Sequence, residues 1–297
     1  MDVVIPYVDT AKPRWRELCD EYRIKEGLGP LGGAYARDYG TLKYLLRSIE
    51  KNLSGAERVF LVVQDEDQVP DWIKNVEVVY HRDYIPTEFL PTFNPHLIEA
   101  FYPFIENLGN NYLNVDDDMF FINWVEPERY FRGGLPVMPN LTIDGRSYLE
   151  GYGPGFGVNL DNGLLIERTY GEPNKIYFPP HFPAPHVKRF DSMTLFKNLE
   201  YIKASFSMSR FSHPGNIAVL EMMANVVKRC GKYYADNTCI NGWFYTQISE
   251  TTDFRRFEDA RVVCFNDLDE IENFELVKKN FTDFLERKFP DPSRYEK

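Results

Sequence analysis

The sequence predicts an α/β fold: a mostly parallel central sheet with flanking helices, followed by a helical C-terminal part. Three observations carry this. Short apolar runs alternate with amphipathic stretches through the first half. One such run, Tyr112 to Phe121 (YLNVDDDMFF), delivers three consecutive aspartates and then becomes apolar again. From Lys188 onward the pattern turns helical, over 188–204, 216–230 and 274–288.

Val3 to Val8 reads as the first strand, ending at Asp9. Over Arg37 to Asn52, Leu42, Leu45, Leu46 and Ile49 share one helical stripe. Strands follow at Arg58 to Val63 (RVFLVV) and Val76 to Tyr80. Asn94 and Pro95 make an N-cap and first turn for a helix carrying Ile98, Phe101, Ile105 and Leu108 on one face, which Pro103 is expected to kink. The strand bearing the aspartates comes next. Ligands of open α/β sheets sit outside the carboxyl ends of the strands, so Asp9 and the triple aspartate are expected to converge on one crevice. Between Asn140 and Pro185, Gly, Pro and aromatics dominate. GYGPGFG at Gly151 to Gly157 reads there as a packed loop, because the strand-to-helix context of a phosphate cradle is missing. No repeat or linker divides the chain, so one domain over 1–297 is expected.

With 297 residues, 43% hydrophobic and 15% aromatic, the chain can bury a large core, which excludes disorder. A formal charge of −11 and the lack of a basic run exclude nucleic acid as a partner. Cys19, Cys230, Cys239 and Cys264 form no CxxC pair, so neither a zinc site nor a disulfide framework is indicated, and a reducing, cytoplasmic compartment fits. No apolar stretch approaches the roughly 18 residues of a membrane span, which leaves at most a peripheral contact with a membrane.

Three adjacent carboxylates repel one another, and burying them at a strand end is costly unless a cation takes up the charge. Asp116, Asp117 and Asp118 are therefore candidate ligands of Mg²⁺ or Mn²⁺, which favour oxygen donors shared with substrate phosphates. Other candidates have plainer readings. Glu99 lies off its helix's apolar stripe near Tyr102 and Glu106, as on a solvated face. His181 and His186 sit in the proline-rich FPPHFPAPH, where a histidine serves turns and packing as well as catalysis, and His181 is the better candidate. His81, His96 and His213 lack even that context, although His96 stands beside Glu99. Arg210 by spacing alone is a surface ion pair, Arg47 is structural, and Asp267 reads as a turn residue.

The ordered motifs resemble the Stealth family of sugar-phosphate transferases. They are DVVIPYVDTAKPRW at Asp2 to Trp15, RDYGTLKYLLRSIEKN at Arg37 to Asn52, QVPDWI at Gln68 to Ile73, FNPHLIE at Phe93 to Glu99 and NVDDDMFF at Asn114 to Phe121. NGLLIERTYG at Asn162 to Gly171, HFPAPH at His181 to His186 and a closing VCFND...FPDPSRYEK complete the set. The chain departs from the family at Thr10-Ala11-Lys12, at Tyr7 in place of a Trp, and at Ser212-His213-Pro214.

The resemblance implies catalytic roles for Glu99, Asp118, His181 and Arg210, and donor contacts at Asp9, Arg37, Asp38 and Asp116. It implies a nucleotide-sugar donor and a saccharide acceptor, with 1–135 as the donor-binding α/β half and 136–297 as the loop-rich and helical acceptor side. Sugar-1-phosphate transfer, releasing a nucleoside monophosphate, is the expected reaction. Asp116 and Asp118 also form a DxD pair like that of nucleotide-sugar glycosyltransferases, so the sheet is expected to be Rossmann-like and GT-A-like. That leaves open transfer of the sugar alone, with release of a nucleoside diphosphate. A third reading is a carbohydrate-binding module whose Tyr and Phe stack on sugar rings.

Overall fold

Four runs rich in Val, Ile, Leu and Tyr pair side by side at the centre of the molecule. The structure, a computed structural model, describes residues 1–143, 176–177, 180–213, 216–217, 219–268 and 270–297. The glycine-rich GYGPGFG and the segment NGLLIERTYG lie outside them. In chain order come β1 (Asp2–Pro6), α1 (Pro13–Lys25), α2 (Leu42–Asn52), β2 (Val59–Val63), β3 (Glu77–Tyr80), α3 (His81–Tyr84), α4 (Pro95–Ala100) and β4 (Asn111–Asn114). Then follow β5 (Met119–Phe121), β6 (Phe131–Arg132), β7 (Leu135–Met138), β8 (Thr142–Ile143), β9 (Ile176–Tyr177) and β10 (Ala184–Val187). The rest is α5 (Lys188–Lys197), α6 (Leu199–Phe206), α7 (Val219–Arg229), β11 (Tyr234–Ala235), β12 (Trp243–Gln247), β13 (Val262–Asn266) and α8 (Phe274–Lys288).

The central sheet has the order β10-β4-β1-β2-β3, with β10 antiparallel at one edge and the other pairs parallel. Its inner strands β4, β1 and β2 are buried on both faces, as parallel sheets covered by helices are. The pleat sorts side chains by parity. Val3, Ile5, Leu61, Val63 and Leu113 join one core with Leu45, Leu46 and Ile49 of α2. Val4, Phe60, Val62 and Tyr112 join the other with Leu97 of α4, Ile202 of α6 and Met222 of α7. The first core extends into a second sheet, β12-β13-β5, where Phe265 meets Phe281 of α8 at 4.9 Å between ring centroids.

Several predicted boundaries move, for local reasons. The helix expected from Arg37 begins at Leu42, because Gly40 adopts φ +67° and Asp38 Oδ1 accepts its N–H at 2.7 Å, closing a turn first. Pro103 ends the helix expected to run past it: α4 stops at Ala100 and the proline sits in a 3₁₀ turn, Tyr102–Phe104. The long helix over 188–204 divides at Asn198 into α5 and α6. The helix over 274–288 forms as expected, capped by Asn273, whose side chain accepts from Leu276 N at 3.1 Å. Among the described residues, no helix is long and apolar enough to cross a membrane.

Candidate active site

The three aspartates lie where the chain leaves one sheet for another. Val115 N still bonds Val4 O of β1 at 3.0 Å; the chain then turns through Asp116, Asp117 and Asp118 and enters β5, a strand of the second sheet. Phe265 N donates to Asp118 O at 2.9 Å, fixing the turn to β13. The aspartates thus cap the carboxyl end of β4, next to the carboxyl end of β1, as expected of an open α/β sheet.

Charge is concentrated here. Burial first, then the neighbouring Asp118, Asp116 and Asp38, push Asp117 up to about 8. Burial and then Asp38, Asp9 and Asp117 raise the phenol of Tyr7. These fields bring Asp9 and Asp38, from the predicted donor side, around the same crevice as the triple aspartate. Asp9 is held by its own backbone, with Asp9 N donating to Gln68 Oε1 at 2.6 Å and its carboxylate accepting from Ala11 N at 2.9 Å.

His181, on the segment entering β10, closes the crevice. Its Nε2 stands 3.8 Å from Asp116 Oδ2 and 4.0 Å from Asp118 Oδ2, with half of the side chain exposed. Its ring lies edge-on to Tyr245 of β12 at 6.0 Å. Asp118 Oδ2 accepts from the Cys264 thiol of β13 at 3.3 Å, whereas Asp118 Oδ1 is buried with no hydrogen-bond partner. Burial raises the Asp118 carboxyl, against the opposing pull of His181 and Cys264. Burial, with Asp118 beside it, pushes the Cys264 thiol up, so it remains a donor.

Glu99 departs from its expectation as a solvated helix face. Because α4 ends one residue later, Glu99 meets the end of β4: Asn114 Nδ2 lies 3.5 Å from Glu99 Oε1 and 3.4 Å from Asp116 Oδ1. One amide therefore links Glu99 to Asp116.

Arg37 and Arg210 are held by protein partners. Arg37 Nε pairs with Asp267 Oδ2 at 2.8 Å, and its Nη2 donates to Leu268 O. Tyr39 takes the other oxygen of Asp267 at 2.7 Å, so Asp267 is an ion-pair anchor and not the simple turn residue expected. Arg210 lies at the other end of α4 from Glu99. Its carbonyl accepts from Phe93 N, its N–H donates to Glu26 Oε1, and its Nη1 donates to Glu88 O at 2.9 Å. His186 is buried, stacked on Tyr112 and bonded to Asp191 at 3.2 Å, a packing role. Sequence reasoning missed Asn114, Tyr245 and Cys264. Asn114 stands two residues before the acidic run; Cys264 carries no signal, being one of four consecutive buried residues of β13.

Residues 35–136 match the model of conserved region 2 of the Stealth proteins. The whole chain aligns with 98% of a capsular polysaccharide phosphotransferase of Streptococcus pneumoniae at 22% identity. It aligns equally fully with a receptor polysaccharide phosphotransferase of Streptococcus gordonii at 26% identity. The chain is thus similar to the Stealth proteins over their second conserved region. A capsular polysaccharide phosphotransferase of Actinobacillus pleuropneumoniae reaches 30% identity, over 44% of this chain and 38% of its own length. Among solved structures, the galactosyltransferase LgtC with donor and acceptor sugar analogs covers 99% of this chain and 98% of its own at 11% identity and a TM-score of 0.47. Glu99, Asn114 and the three aspartates fall inside the matched Stealth region; His181, Arg210 and Cys264 lie beyond it.

Proposed function

We propose that this protein is a member of the Stealth family and transfers sugar-1-phosphate from a nucleotide-sugar donor to a hydroxyl of a saccharide acceptor, in assembly of a polysaccharide. The observation that carries the reading is the crevice itself: a half-exposed imidazole facing Asp116 and Asp118, with Glu99 joined to them through Asn114. The full-length likeness to named polysaccharide phosphotransferases supports the reaction type.

A divalent cation suits these residues, because Asp118 Oδ1 is buried without a partner and burial, with the neighbouring carboxylates, pushes Asp117 up to about 8. Asp116, Asp117 and Asp118 would hold Mg²⁺ or Mn²⁺, which when bound supplies charge neutralisation for the phosphate oxygens. The acceptor oxygen attacks the phosphorus next to the sugar and its proton passes to His181 Nε2. The bond from that phosphorus to the oxygen of the departing nucleoside monophosphate breaks. Glu99, through Asn114, keeps Asp116 oriented. Arg210 leaves the carbonyl of Glu88 to clamp a phosphate oxygen with its planar fork. Asp9 and Asp38 line the donor side. Arg37 acts there indirectly, by anchoring the loop that carries Asp38. The chain acts as one catalytic domain: 1–135 supplies the acidic donor side, and 136–297 brings His181 and Tyr245 to the acceptor side. Four free thiols suit a reducing, cytoplasmic setting.

The test is to incubate the protein with a panel of nucleotide sugars, Mn²⁺ or Mg²⁺ and mixed saccharides, and to identify the released nucleotide. Nucleoside monophosphate is expected. Nucleoside diphosphate would mean attack at the anomeric carbon, the outcome that the DxD pair Asp116 and Asp118 leaves as the second reading. Glycan binding without turnover would make the chain a binding module.

A further inference from the structure

We propose that Asp118, His181 and Cys264 form a three-ligand site for a thiophilic divalent cation, Zn²⁺ by preference, and that its occupation shuts off transfer at His181. One ligand atom from each of the three lies within 4.8 Å of the other two. The edges of a tetrahedral zinc site with one sulfur, one nitrogen and one oxygen are roughly 3.3 to 3.8 Å. Cys264 Sγ to Asp118 Oδ2 is already 3.3 Å, and Asp118 Oδ2 to His181 Nε2 is 4.0 Å. The two edges that reach His181 must shorten.

The parts that cannot move are already in place, and the part that must move can. Cys264 is fully buried and paired on both sides, with Tyr245 of β12 and Met119 of β5. Asp118 is tied to the same strand through Phe265 N. His181 is half exposed and sits outside the strands, so its ring can swing inward by the remaining distance, about 1 Å. The exposed side of the imidazole leaves a fourth position for water. Thiolate and imidazole donors select zinc over Mg²⁺ or Mn²⁺, which prefer oxygen.

On binding, bonds form from the cation to Cys264 Sγ, His181 Nε2 and Asp118 Oδ2. The thiol proton is released to solvent and the Cys264–Asp118 hydrogen bond is lost. The His181 lone pair that would accept the proton of the acceptor hydroxyl is then occupied, and Asp118 is drawn away from Asp116 and Asp117. The shut-off rests on the function proposed above; the binding does not.

The experiment titrates the full chain with Co²⁺ and then with Zn²⁺. A thiolate-to-cobalt charge-transfer band in the near ultraviolet is expected, and Zn²⁺ should abolish it. In Cys264→Ser the band should vanish, and Zn²⁺ affinity, measured by competition with a chromophoric chelator, should fall by about tenfold or more. His181→Gln, at a half-exposed position that tolerates change, should lower Zn²⁺ affinity similarly and serves if the buried serine fails to fold. A wild-type protein without the band, or Zn²⁺ affinity unchanged in His181→Gln, overturns the site. In the turnover assay, stoichiometric Zn²⁺ should suppress nucleotide release, a chelator should restore it, and Cys264→Ser should need a higher Zn²⁺ concentration for the same suppression. Zn²⁺ bound without suppression overturns the shut-off. If no nucleotide sugar is turned over at all, the proposed function fails while the cobalt band still decides the site.

Discussion

Asn114 Nδ2 lies 3.5 Å from Glu99 Oε1, tying the last residue of β4 to the last turn of α4. The same amide is 3.4 Å from Asp116 Oδ1. Two carboxylates that would otherwise repel share a neutral donor, and the sheet end is thereby locked to the helix that carries the acid.

Asn114→Leu keeps the volume and removes that donor. A hydrogen bond to a charged group contributes about 1.5–3 kcal/mol, so kcat should fall by roughly ten- to a hundredfold, as Glu99 and Asp116 move apart. The donor's KM should change less. Steady-state kinetics check this, and an unchanged kcat would show that the link between Glu99 and Asp116 is irrelevant to turnover.

Asp117 gives the metal-free protein a pH signature. Its carboxyl is raised from 3.8 to about 8 on folding, by burial first and then by Asp118, Asp116 and Asp38. The folded state therefore holds a proton that the unfolded chain has lost. The stability this contributes is full below pH 4 and drains away as pH rises to about 8. Asp117→Asn removes the titration, so its melting temperature relative to the wild type should climb steadily between pH 5 and pH 8. Mn²⁺, by neutralising the cluster, should stabilise the wild type more at pH 8 than at pH 5. A variant-to-wild-type difference that stays flat across this range would contradict the buried-cluster account.

Arg47 tests the scaffold apart from the chemistry. It is 8% exposed, forms a fork with Glu296 at 2.8 and 2.7 Å, and donates to Phe289 O, so it pins the closing segment to α2. Arg47→Met leaves Glu296 without its partner in a largely buried place, which costs about 3–5 kcal/mol. Urea denaturation should register that loss. A change below about 1 kcal/mol would class the pair with exposed salt bridges.

The parallel sheet was legible because its strands are short, β-branched and separated by amphipathic stretches, and Val3 to Val63 follow that pattern without conflict. The helix bounds were less so: Gly40 delays one start and Pro103 forces one end, each overriding a continuous apolar stripe through backbone geometry, which side-chain periodicity does not see. Asp116 to Asp118 stood out as an acidic run bounded by apolar residues. The group that surrounds Asp118 did not, because Cys264 and His181 are 146 and 63 residues away in the chain and meet it only through the pairing of β5 with β13 and the approach to β10. Helical spacing alone gave Glu99 no site signal, because its neighbour Asn114 comes from β4.

His181 separates catalysis from binding. Its Nε2 faces Asp116 and Asp118 at 3.8 and 4.0 Å, half of the side chain remains open, and it is the proposed base for the acceptor hydroxyl. A general base contributes about 10²–10⁴-fold, and only in the transition state. His181→Ala should therefore lower kcat by that factor and leave nucleotide-sugar affinity, measured by calorimetry, within about threefold. Arg210→Ala should behave differently. Its guanidinium, now on the carbonyl of Glu88, is proposed to meet the donor phosphate in the ground state as well, so both affinity and kcat should fall. If His181→Ala lost donor affinity while retaining its turnover rate, the imidazole would be a donor-binding group and the base would have to be sought elsewhere in the crevice.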